Sequence, residues 1–177
     1  MSRKLVDSKK AFGFQEQLKV GSEGESLFLK LFDKFYVANN EKNCRLPDFI
    51  HRKTGALVEV KYDDSTRAIL DRNGYQMNFF IEKFSNDEYQ TLGGPFRAVS
   101  EGCDYYVYIF KKPCRIFILD AKKLLEKVNR LIETNHFPKK LIPNRNYKTS
   151  GYALPISALM SCIVSEDKFK SGVKNNH

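Results

Sequence analysis

The chain has 177 residues, 42% of them apolar and 13% aromatic, with 30 Lys and Arg against 21 Asp and Glu. That is enough apolar side chain for one globular domain over 1–177 and too much for a disordered chain. No apolar run is long enough to span a bilayer, and the basic N-terminus lacks the apolar segment of a secretion signal. The four cysteines (Cys44, Cys103, Cys114, Cys162) and three histidines (His51, His136, His177) show no zinc-ligand spacing. Reduced thiols in a cytoplasmic or nucleoid-associated protein are the expectation.

Residues 1–20 are expected to form an N-terminal arm. A helix is predicted over 22–36, with Leu27, Phe28, Leu31, Phe32 and Phe35 on one face. Ser22 fits its N-cap, and Glu25, three residues on, completes a capping box. A short strand over 44–50 and a strand over 56–62 follow, separated by the polar, glycine-ended turn 51–55. After a polar stretch to Gly74, residues 77–82 read as a third strand ending at Glu82. Gly93-Gly94-Pro95 marks a turn into a short helix at 96–101, where Arg97 suits a salt bridge or a DNA contact. Strands over 104–110 and 115–119 read as a hairpin. Asp120 caps a helix over 121–134 with Leu124, Leu125, Val128, Leu131 and Ile132 at helical spacing. The basic segment 138–151 is expected as a loop, 152–156 as a return to the core, a short helix to about 164, and 165–177 as a frayed tail.

One spacing carries chemistry. Pro47-Asp48 is followed, ten residues later, by Glu59-Val60-Lys61. Side chains alternate along a strand, so Glu59 and Lys61 share one face with Asp63, while Val58, Val60 and Tyr62 point into the core. Folding 44–50 back on 56–62 brings Asp48 beside Glu59. Two carboxylates then converge where Mg²⁺, which takes oxygen ligands and retains waters, can bind. An acid two residues before a lysine occurs four times, at Asp7, Glu59, Asp120 and Glu166. Only the Glu59 copy lies in an apolar strand, where an unpaired charge is costly.

Pro47-Asp48, Glu59-Val60-Lys61 and the preceding helix resemble the PD-(D/E)XK nuclease superfamily. The resemblance covers roughly residues 22–120. It implies an α/β restriction-endonuclease-like fold, a mixed β-sheet flanked by helices with an αβββαβ core, which 121–164 would extend as a basic helix and loop. It implies Asp48 and Glu59 as Mg²⁺ ligands (Mn²⁺ substituting), the Val60 carbonyl assisting, and Lys61 as catalytic lysine. Glu25, Glu82 and Asp63 are further acidic candidates; capping is the favoured role of Glu25, and Glu82 is equally explained as a strand-end surface acid. The strand ending Ile81-Glu82 is similar to that of phage-type members.

Charge separates along the chain. Residues 1–110 carry 16 basic and 16 acidic side chains, whereas 111–177 carry 14 and 5. Basic surface there suits a polyanion that an acidic site alone would repel. Lys139, Lys140, Arg145, Asn146 and Lys148 are the expected DNA contacts. The expected activity is a Mg²⁺-dependent endodeoxyribonuclease, restriction-like, homing or phage-type, acting as a homodimer on a two-fold substrate. A Holliday-junction resolvase, a ribonuclease, and an inactive nucleic-acid-binding module are the alternatives.

Overall fold

Tyr105-Tyr106-Val107-Tyr108-Ile109-Phe110 is apolar at every position, and every one of these residues is buried. A strand can bury both its faces only at the centre of a sheet covered on each side. The computed structural model shows this arrangement and describes residues 14–39, 47–63, 78–111, 114–135, 137–144 and 146–174. Helix α1 is Phe14–Phe32, followed by strands β1 (Tyr36–Ala38), β2 (Phe49–His51), β3 (Leu57–Asp63), β4 (Asn78–Asn86) and β5 (Thr91–Leu92). Then come α2 (Gly94–Ser100), β6 (Tyr105–Phe110), β7 (Arg115–Asp120), α3 (Ala121–Asn135), β8 (Lys140–Pro143) and β9 (Lys148–Pro155). The last elements are α4 (Ile156–Leu159), a 3₁₀ turn Met160–Cys162 and α5 (Glu166–Ser171).

The architecture is mixed α/β. The main sheet has the order β1-β2-β3-β6-β7; β3 and β6 run parallel and the other pairs antiparallel. On one face, Val58, Tyr105, Val107 and Ile109 pack with Phe28 and Phe32 of α1 and Phe169 of α5. On the other, Tyr106, Tyr108 and Phe110 pack with Leu124 and Val128 of α3 and with Phe79, Ile81 and Leu154 of a second, antiparallel sheet, β5-β4-β9-β8.

Several expectations need correction. Helix α1 begins at Phe14 and ends at Phe32, so Ser22 lies inside it and its hydroxyl donates to the Lys19 carbonyl at 3.0 Å. The expected capping box with Glu25 is therefore not formed. Extending an existing helix costs less than nucleating one, which lets it run through Gly21 and Gly24. Tyr36 begins a strand instead of ending the helix. The predicted strand at 77–82 belongs to the second sheet and runs to Asn86. Segment 138–151 is not a loop, since it forms β8 and the start of β9, and β9 pairs with β4. Its polar residues mask a strand buried on both faces, where the neighbours Thr149 and Ser150 are both buried. Residues 165–174 are not frayed: Ser165 caps α5 by accepting from the Lys168 N–H at 3.3 Å, and Phe169 is fully buried.

Other expectations hold. Asp120 Oδ1 accepts from the Lys123 N–H at 3.0 Å at the start of α3. Gly55, at φ +70°, turns β2 into β3 in a conformation that favours glycine. Residues 40–46 and 64–77, including the first part of the predicted strand 44–50, lie outside the described residues.

Gly24 packs α1 onto the main sheet. A Cβ there would stand 2.5 Å from Tyr62 Cβ. In an exposed helix Gly→Ala stabilises by about 1 kcal/mol. Here Gly24→Ala is expected to destabilise by about 1–3 kcal/mol through overpacking, measured by urea denaturation. A gain in stability would contradict the close α1–β3 contact.

Candidate active site

The β2–β3 hairpin sets the site. Phe49 pairs with Val58 and Ile50 with Leu57, so the same register carries Asp48 to a position across from Glu59. Facing side chains of an antiparallel pair stand about 5 Å apart at Cβ. Val60 is tied to Asp48 through its N–H, which donates to Asp48 Oδ2 at 2.8 Å. Val58 is fully buried, and Val60 and Tyr62 pack against the same core, so the predicted division of β3 into a core face and a polar face holds.

Glu59 Oε2 is buried and has no hydrogen-bond partner. A buried carboxylate oxygen left in this way is costly unless a cation meets it. Helix α2 approaches from the side. Arg97 Nε donates to Glu101 Oε1 at 2.9 Å, and Glu101 Oε2 is a second buried oxygen without a partner.

The electrostatics agree with the geometry. Burial pushes the Glu59 carboxyl up to about 8, and the neighbouring Asp48 charge adds to the shift. Burial likewise pushes Asp48 up to about 6 against the lowering effect of the Val60 hydrogen bond, with Glu25 contributing in the raising direction. Burial works against the Arg97 charge, but the carboxylates of Glu101, Glu59 and Asp48 more than offset it. Arg97 is thus a cation held among three acids.

Lys61 Nζ lies 3.8 Å from Glu82 Oε2. Glu82 is held from behind by the Gly93-Gly94 turn, where side chains would collide with it: a Cβ on Gly94 would come within 2.6 Å of the Glu82 carbonyl oxygen. The glycine pair therefore lets α2 close on β4 beside the lysine. Asp63 is engaged elsewhere. It accepts from the Tyr108 hydroxyl at 2.7 Å, which itself accepts from the Phe80 N–H at 3.1 Å, linking the two sheets. Glu25 is exposed on α1, near enough for its charge to act on Asp48.

Among the described residues, no three His, Cys, Asp or Glu side chains gather into a metal cage. The pair Asp48 and Glu59 suits a different kind of ion. Mg²⁺ is commonly held by one or two carboxylates and completes its shell with water and substrate oxygens. The partnerless Glu59 oxygen beside a second raised-pKa carboxylate fits that donor set.

Of the expected DNA contacts, Lys140, Asn146 and Lys148 are exposed on the β8–β9 hairpin, and Lys139 forms an ion pair with Asp87 at 2.6 Å. Arg145 lies outside the described residues. Lys140 pairs with Gly151, which pairs with Glu82. Two strand spacings, roughly 10 Å, therefore separate Lys140 from the residue that contacts Lys61. Glu101 was not singled out in the sequence. An Arg and a Glu four apart on a short helix is a common surface pair, with no local signal of burial.

The raised carboxyl pKa values make metal-free stability depend on pH. Unfolded carboxyls titrate near 4. Between about 4 and the folded values the native state binds more protons than the unfolded one, so stability falls as pH rises. The thermal midpoint in EDTA is expected to fall from pH 5 to pH 8.5, and Mg²⁺ at pH 8.5 is expected to restore it, by roughly 2.7 kcal/mol at a hundredfold excess over Kd. A flat profile with no response to Mg²⁺ would argue against a cation between these acids.

Among the described residues no helix is long and apolar enough to cross a membrane. No family model, curated protein or solved structure matches the chain.

Proposed function

We propose that the chain is a Mg²⁺-dependent nuclease hydrolysing DNA phosphodiester bonds, with Asp48 and Glu59 as metal ligands and Lys61 as the catalytic lysine. The observation that carries this reading is the buried, partnerless oxygen of Glu59, whose carboxyl feels the charge of Asp48 on the neighbouring strand, with an ammonium group two residues along the same strand face. The main sheet supports it: with β4 and β5, which pair in the second sheet between β3 and α2, set aside, the elements α1-β1-β2-β3-α2-β6 follow the αβββαβ order that the resemblance implies.

A bound Mg²⁺ supplies Lewis-acid polarisation of the phosphoryl oxygen and a water of lowered pKa. The chain's own groups do the rest. Asp48 and Glu59 hold the cation. Lys61 offsets the negative charge that grows on the phosphate, and Glu82 orients its ammonium. The exposed lysines of the β8–β9 hairpin attract the backbone on either side. A two-fold homodimer would present two such sites to a duplex.

Purified protein should be incubated with supercoiled plasmid, a four-way junction and single-stranded RNA, each with Mg²⁺, Mn²⁺ or EDTA. Metal-dependent cutting of DNA is the expected result. Cutting of the junction alone narrows the reading to a resolvase. Cutting confined to RNA, or tight binding with no cutting, overturns it. Sedimentation with and without a duplex tests the dimer.

A further inference from the structure

A second charged feature lies on the far side of the β2–β3 hairpin, where the turn meets the C-terminal helix. A pocket of about 290 Å³ opens there, lined by Lys34, Phe35, Arg52, Lys53 and Lys170. Four cations around one opening repel one another unless anions intervene. Only Lys170 has a carboxylate, Glu166 at 2.5 Å. Among the described residues, Lys34, Arg52 and Lys53 have no acidic partner.

The frame around these cations is rigid. Arg52 Nε donates to the Asp33 carbonyl at 3.0 Å and its backbone N–H to the Phe35 carbonyl at 2.8 Å. This fixes the guanidinium while leaving its terminal amino groups for a ligand. His51 sits beneath the turn. Its Nδ1 accepts from the N–H groups of Lys53 and Thr54 at 3.3 and 3.2 Å, so its Nε2 donates to the Lys170 carbonyl at 3.0 Å. The imidazole thereby fastens the lysine-bearing turn to the lysine-bearing helix.

We propose that this pocket binds a backbone phosphate of nucleic acid, outside the candidate active site. A fixed guanidinium fork flanked by two unpaired ammonium groups matches the geometry and charge of a phosphodiester. Arg52 is four residues along the strand from Asp48, roughly 13 Å at the strand rise, so one polyanion can occupy both places. The proposal rests on the nucleic-acid reading above but not on catalysis.

The test is binding of a short fluorescent duplex to the full chain in EDTA, where no cutting intervenes, over a range of salt concentrations. The double variant Lys34→Glu/Lys53→Glu is expected to bind roughly ten- to a hundredfold more weakly and to lower the log–log salt slope by about one, the share of one phosphate. Arg52→Lys keeps the charge but loses the fork, and is expected to weaken binding about fivefold with the slope nearly unchanged. Lys122→Glu, at an exposed position on α3, controls for general charge. Thermal midpoints check folding, and Lys34→Gln/Lys53→Gln replaces the double variant if its midpoint drops. Wild-type-like duplex binding by both pocket variants overturns the proposal while leaving the nuclease reading to its own cleavage assay. Loss of inorganic phosphate binding without loss of duplex binding also overturns it, by making the pocket a small-anion site. Absence of duplex binding by the unmodified protein overturns the pocket and the nucleic-acid partner together.

Discussion

Glu59→Gln is expected to abolish metal-dependent cleavage and, at the same time, to make the metal-free protein more stable. The two effects share one cause. Glu59 carries a buried oxygen without a partner, beside a second carboxylate. Removing its charge removes both the desolvation cost and the repulsion from Asp48. At pH 8 the gain is about 1–3 kcal/mol, the usual scale for an unsatisfied buried polar group. Cleavage is expected to fall by roughly 10²–10³ or more, the scale for losing one electrostatic element of a transition-state site. Lys61→Ala should lose activity on the same scale without the gain in stability, because it strands Glu82. A structural role for Glu59 gives the opposite pattern, with stability lost alongside any activity. Chemical denaturation in EDTA at pH 6 and pH 8, set beside plasmid cleavage in Mg²⁺, separates the two. A destabilised Glu59→Gln protein would sink the metal-ligand assignment.

Phe169→Ala is expected to cost about 3–5 kcal/mol, the usual range for deleting a buried aromatic ring. The ring lies among Phe32, Tyr36 and Tyr105, with centroids at 5.1, 4.6 and 5.0 Å, and Phe28 lies at 6.1 Å. The backbone around it is equally engaged. The Tyr36 hydroxyl donates to the Phe169 carbonyl at 2.6 Å, Thr54 Oγ1 to the Gly172 carbonyl at 2.6 Å, and the Tyr105 hydroxyl to the Val173 carbonyl. Buried Tyr36, Tyr105 and His51, together with exposed Thr54 of the turn, thus point donors at carbonyls of 169–173. Deleting the chain from Ser165 onward removes the ring and leaves the three buried donors without these acceptors, each costing about 1–3 kcal/mol where it stays buried. Such a protein is not expected to fold cooperatively. A truncated chain with the full-length thermal midpoint would show that α5 is not part of the core.

This result bears on the site as well. Helix α5 rests on the same β2–β3 hairpin that brings Asp48 to Glu59, through His51 and Thr54 of its turn. Weakening α5 should therefore loosen the register of the two acids before it unfolds the sheet. The proposed phosphate pocket lies on this junction, so an anion there would stiffen it.

What could be read along the chain was the part governed by neighbours in sequence. The alternation of Val58, Glu59, Val60 and Lys61 divides β3 into two faces because strand geometry has a period of two. Gly55 turns the hairpin, Asp120 caps α3, and the apolar run of β6 requires a covered central strand. The Asp48–Glu59 meeting follows from a hairpin only ten residues around, so its register was within reach of local rules. The rest depended on contacts between distant segments. Phe169 looks like part of a charged, glycine-ended tail until α1, β1 and β6 enclose it. Segment 138–151 looks like a basic loop until β4 offers an edge to pair with. Glu82 meets Lys61, and Arg97 settles among three acids, only because α2 packs against β4. Short polar segments have no preference strong enough to decide their own structure, and it is burial against far-off partners that decides it for them.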